Sequence, residues 1–179
     1  MIDQSAWHLW GMRAAYLGLG LAIVVLQLTP LEFTPRRFAL PDFLICLTLV
    51  WAVRRPEYVP ALAIAVMLLL ADFLLMRPPG LLAALVLGGA EFLKAQSRGL
   101  RDQPFVMEWL SVGIVITGIF IAFRLFAAIF VVPQAPLTLT LIQIVGTILA
   151  YPLVSLLSFV VLGLRKSTPG EVDTLGRRT

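Results

Sequence analysis

Apolar residues along this chain do not alternate with polar ones; they fall into long blocks divided by short polar or proline-bearing stretches. Six blocks stand out, over residues 14–31, 38–53, 59–76, 81–93, 109–132 and 139–164. Continuous apolar runs approaching about 20 residues predict helices that cross a hydrocarbon layer, because inside lipid a helix satisfies its own backbone groups. The second block is short. Its core from Pro41 to Val53 rises only about 20 Å as a helix against a layer of roughly 30 Å, so it either takes in Phe38 to Leu40 or enters the membrane partway. Ahead of the first block stand Trp7, Trp10 and Arg13, the aromatic and basic mixture of an interfacial anchor. The first block is too long for a signal-peptide core and no A-x-A site follows it, which predicts an uncleaved first helix.

The breaks between blocks carry turn chemistry. RPPG, Arg77 to Gly80, predicts a tight reversal, since proline presets turn backbone and glycine permits positive φ. Lys94 to Phe105 reads as a polar connector, Pro133 and Pro136 bracket a short loop, and Pro152 predicts a kink in the sixth helix. Residues 165–179 form a polar tail, expected to be loosely ordered and cytoplasmic. Small residues recur at i, i+4 as Ala84 with Gly88, Gly113 with Thr117 and Gly146 with Ala150, spacing that lets helices approach closely.

Composition sharpens the class. The chain is 60% hydrophobic and 13% charged, whereas soluble domains run near about 45–50% and about 25%. The net charge of +4 would suggest nucleic acid in a soluble protein, but here the basic residues sit between and after the apolar blocks, where anionic lipid and topology require them. With both termini inside, the cytoplasmic side holds Arg13, Arg54, Arg55, Lys94, Arg98, Arg101, Arg165, Lys166, Arg177 and Arg178, and the outer side only Arg36, Arg37 and Arg77. Ten against three favours six spans with both ends cytoplasmic, and anionic lipids rather than nucleic acid as the charged partner. The expected fold is all-α: a polytopic six-transmembrane-helix bundle over residues 1–164.

Candidate chemistry is sparse. One cysteine, Cys46, and one histidine, His8, leave no internal disulfide and no base for a nucleophile, and no G-x-S-x-G, phosphate loop or H-E-x-x-H is present. The chain is therefore read as non-enzymatic, without cofactor or metal. The informative residues are charges inside apolar blocks, since each costs several kcal/mol or must find a partner. Asp72 and Arg124 fall at matching depths in the outer half of two helices of the same direction, which predicts a structural ion pair; a proton or ion relay, or a ligand contact, is the functional alternative. Glu91 precedes Lys94 by three residues, predicting an interfacial helix-end pair. Asp42, after Pro41 at the head of the second helix, predicts a cap.

The stretch PDFLICLTLVWAVRRPEYVPALAIAVMLLLADFLLMRPPGLLAAL, Pro41 to Leu85, resembles the MreD family of rod shape-determining membrane proteins. A proline heads the second helix, an apolar run ends at a charged turn, and an intramembrane aspartate precedes a Pro/Gly turn. EFLKAQSRGLRDQPFVMEW and RKSTPGEVDTLGRR are similar to its alphaproteobacterial branch. The resemblance implies a multi-pass protein of the bacterial inner membrane, with a fold similar to the S components of energy-coupling-factor transporters. It further implies a scaffold that binds the bitopic protein MreC and acts beside MreB, RodA and a class B penicillin-binding transpeptidase in cell elongation. A small-molecule-binding transporter subunit with the same kind of fold is the alternative of different class; it requires polar and aromatic groups converging at the outer mouth of the bundle.

Overall fold

A computed structural model describes residues 4–29, 40–101 and 103–162. It contains six α-helices and one 3-10 turn: α1 Gln4–Leu28, α2 Phe43–Arg54, the turn Pro56–Tyr58, α3 Ala61–Leu74, α4 Leu81–Arg101, α5 Phe105–Ile129 and α6 Leu137–Leu162, with no strand among the described residues. Three of these are long and apolar enough to cross a membrane, Trp7–Leu28, Phe105–Ile129 and Leu137–Val161, while α2 and α3 are apolar but shorter. The expected boundaries shift where helix and hydropathy part company. The leader is already helical from Gln4, and Lys94 to Arg101, expected as connector, continues α4. Hydropathy reports where lipid ends, not where the helix ends, and no proline interrupts α4 before Pro104. The polar tail and residues 30–39 lie outside the described residues.

The short second helix occupies the centre. Every residue of α2 from Leu44 to Val53 is buried, so its apolar content faces protein, and its length need not match the bilayer. α2 packs on α4, α6 and α1; neighbouring contacts join α1 to α3, α3 to α4, α4 to α5 and α5 to α6, and among the described residues no comparable contact joins α6 to α1. Among those residues the wall around α2 is open between α6 and α1. Trp51, Tyr16 and Tyr151 are its largest fully buried side chains; Tyr16 hydrogen-bonds Thr48 at 3.0 Å and packs against Trp51 with ring centroids 5.7 Å apart.

Close packing is local. A Cβ on Gly89 would meet Val115 Cγ1 at 2.8 Å and Ile119 Cδ1 at 3.0 Å, so α4 and α5 meet across this bare backbone. A Cβ on Gly88 would meet nothing within 4 Å; the expected Ala84/Gly88 pair faces outward and the neighbour one residue on makes the contact. Gly146 abuts the Pro41 ring, where an added Cβ would stand 3.4 Å from Cγ.

Two helices end alike. After α3, Met76 is left-handed at φ 53, its N–H bonds Phe73 O, and Arg77 N–H bonds Asp72 O at 3.0 Å. After α5, Val131 is left-handed at φ 54, its N–H bonds Ala128 O, and Val132 N–H bonds Ala127 O at 2.9 Å. Both are Schellman closures, which satisfy the last carbonyls, built with side-chain-bearing residues where glycine is usual.

Candidate functional site

Both ends of α2 are held by ion pairs, and the residues that hold them come from distant parts of the chain. At its N-terminus the Asp42 side chain accepts from Ile45 N–H at 3.3 Å, the cap expected from sequence. Its other oxygen accepts from Arg77 Nη1 at 3.3 Å, and its backbone N–H donates to Thr147 Oγ1 at 3.0 Å. Cys46 Sγ donates to Thr147 O at 3.2 Å, so α2 is fastened along α6 as well as to the α3–α4 turn. At the opposite end Arg54 Nε donates to Glu108 Oε1 at 3.2 Å, and Tyr151 O–H donates to the same oxygen at 2.8 Å. Glu108 is fully buried. A carboxylate there is tolerated because a guanidinium and a phenol both donate to it. Phe105 stacks on Tyr151, with ring centroids 6.4 Å apart, and lies under the Arg54 guanidinium at 6.0 Å.

Glu108 was not among the residues singled out from sequence. It stands one residue before the fifth apolar block, where an acid reads as first-turn helix chemistry; its partners lie 54 and 43 residues away, and no local pattern announces them. Glu91 and Lys94 do meet, at 2.7 Å, and Lys94 Nζ also donates to Val59 O at 2.6 Å, closing the loop after the 3-10 turn. Arg13 donates to Glu57 O in the same turn.

The expected Asp72–Arg124 pair is not formed. Asp72 Oδ2 accepts from Gly80 N–H at 3.1 Å and Ala83 N–H at 3.2 Å, so it caps α4 from across the RPPG turn. Arg124 Nη1 donates to Ala135 O at 2.9 Å and Thr140 Oγ1 at 2.6 Å, and Gln134 Nε2 donates to Arg124 O; it holds the α5–α6 loop. Equal depth is not adjacency. α3 packs on α1 and α4, α5 on α4 and α6, and α4 stands between them. With Asp72 committed to backbone donors, the relay reading gains nothing from its position.

The gap between α6 and α1 forms a groove of about 1110 Å³ with Phe43 and Leu47 of α2 on its floor. Leu19, Ile23 and Leu26 line one wall, and Val154, Leu157 and Val161 the other. Its polar lining includes Asp42 and Arg77, paired at the N-terminal end of α2, and Gln27 and Gln143. The chain matches no family model, no curated protein and no solved structure.

Proposed function

We propose that this protein is a non-enzymatic scaffold of the bacterial cell-elongation machinery. It crosses the inner membrane six times with both ends cytoplasmic and docks the transmembrane helix of a bitopic partner of the MreC type. Through that partner it supports MreB, RodA and a class B penicillin-binding transpeptidase. The observation that carries the reading is the groove between α1 and α6. Its α6 lining residues, Gln143 and then Val154, Leu157, Ser158 and Val161, lie within a stretch of about 27 Å at about 1.5 Å per residue, close to the roughly 30 Å hydrocarbon core, and its α1 wall from Leu19 to Thr29 covers about 15 Å of it. A lipid of one leaflet fills half that length; a spanning helix fills it. Its lining is mainly leucine, isoleucine and valine, an apolar surface against which a helix in the bilayer can pack. The volume also exceeds the roughly 300–1,000 Å³ of most small-ligand pockets.

The alternative, a small-molecule-binding transporter subunit, has one observation in its favour: the polar side chains of Asp42, Arg77, Gln27 and Gln143 are among those that line the groove. Two measurements separate the readings. Full-length protein purified from its native membrane in mild detergent is expected to bring down a single-span cell-wall protein. A photo-crosslinking residue at Leu157 or Leu19 is expected to capture that protein, while one at Ile114, exposed on α5, is not. A vitamin-sized molecule retained in place of any protein would reverse the assignment.

A further inference from the structure

Gln143 lines the groove from α6 and is half-buried there. Its depth in the membrane follows from length. The apolar stretch Leu137–Val161 has 25 residues, about 37 Å at about 1.5 Å per residue, against a hydrocarbon core of roughly 30 Å. Even with all of the excess, about five residues, standing out of the lipid at the Leu137 end, Gln143 lies inside it. Its backbone is fixed beside the head of α2. The Gln143 carbonyl accepts from Thr147 Oγ1 at 2.7 Å, and that hydroxyl oxygen accepts from Asp42 N–H at 3.0 Å. The side-chain amide, by contrast, makes no hydrogen bond among the described residues. The nearby Asp42 carboxylate is committed to Ile45 N–H and Arg77. Gln143 therefore presents its amide to whatever fills the groove. An amide facing acyl chains is costly, because they offer it neither donor nor acceptor.

We infer that the transmembrane helix docked in this groove carries an asparagine or glutamine in the outer third of its span, hydrogen-bonded to the side-chain amide of Gln143. This rests on the docking reading above and adds the chemistry that selects the partner. With both termini cytoplasmic, the Leu137 end of α6 is the outer one, which sets the depth of the partner residue. A carboxamide fits best because it carries both an N–H and a carbonyl, matching both ends of the Gln143 amide. A hydroxyl matches one end at a time, and a charged side chain would have to be carried into lipid beside an ion pair already closed. Side-chain amides joined across helices in this way are a recognised adhesive in membranes, where packing alone discriminates little between apolar helices. Gln27 on the α1 wall offers a comparison. Its amide also makes no hydrogen bond among the described residues, but it stands one residue from the end of the apolar stretch Trp7–Leu28, where water at the membrane surface serves it.

The test uses full-length protein in its native membrane with a photo-crosslinking residue at Leu157, which reports occupancy of the groove. Mass spectrometry of the crosslinked peptide identifies the occupant, and its span is expected to hold an asparagine or glutamine in the outer third. Gln143→Leu is expected to lower affinity about three- to thirtyfold, read as crosslinking yield below saturation. Its melting temperature in detergent should be unchanged or higher, since the side chain bonds nothing within the chain. Gln27→Leu is expected to change the yield little. Leucine in place of the partner's carboxamide residue should cost as much as Gln143→Leu, and the two together no more than either alone. If the protein with Gln143 intact captures no single-span protein, the docking reading itself fails. If it captures one whose outer third lacks asparagine and glutamine, or whose yield is untouched by Gln143→Leu or falls equally in Gln27→Leu, this inference is overturned and docking stands.

Discussion

Asp72 shows how far a single residue can be read from sequence. That an aspartate in an apolar run must find partners follows from the cost of burying it, and it does find them; which partners could not be deduced, because the Gly80 and Ala83 amides become available only once the RPPG turn has folded α4 back. Removing the cap exposes that dependence. Asp72→Ala is expected to lower stability by about 1–3 kcal/mol, since two amides at the head of α4 lose their acceptor. Combined with Arg124→Ala, the losses should add to within about 0.5 kcal/mol, as they do for groups that share no partner; a rescue in the double variant would reinstate the ion pair. Val131 makes the complementary case. It is 86% exposed and left-handed, a conformation that costs a side-chain-bearing residue roughly 1–2 kcal/mol. Val131→Gly is therefore expected to stabilise the protein by up to about 1 kcal/mol once the added chain entropy of glycine is subtracted, read as a higher melting temperature in detergent.

At the scale of elements, hydropathy located six helices because burial in lipid and burial in protein draw on the same residues. For that reason it could not tell that the second block, whose helix is the shortest of the six, is the core of the bundle, nor that α4 runs on past Leu93. The Asp42 cap and the Glu91–Lys94 pair were legible because both are local, within three residues along one helix. The buried Glu108 was not, since Arg54 and Tyr151 belong to other helices. Small-residue spacing was legible as a tendency but not in register. Gly89 rather than Gly88 carries the α4–α5 contact, and the two glycines offer a matched test. Gly89→Ala must push Val115 and Ile119 aside and is expected to destabilise by about 1–3 kcal/mol, whereas Gly88→Ala, with open space around it, should be neutral or slightly stabilising through better helix propensity. Equal melting temperatures for the two variants would show that α4 and α5 are not held at this distance.

For the molecule as a whole, the central helix is made second yet needs its neighbours from the end of the chain. Arg54 waits for Glu108 and Tyr151, and Asp42 waits for Arg77 and Thr147. At about 5–20 residues per second, roughly 5–20 s of synthesis separate Arg54 from Tyr151. During that interval a helix too short to span the bilayer, with a charge at either end, has no finished surroundings. Biogenesis then depends on timing: something at the insertion site, such as the translocation channel or an insertase, must shelter α2 until α6 arrives. A chain ended after Arg101 is expected to be cleared rapidly from the membrane even though four of its helices are complete. One ended at Leu162 should persist, and pulse-chase labelling of the two lifetimes decides the matter. The charges that fasten α2 in the finished protein thus make the nascent chain a client of quality control, and they leave a window in which a failed partnership is recognised before the bundle closes.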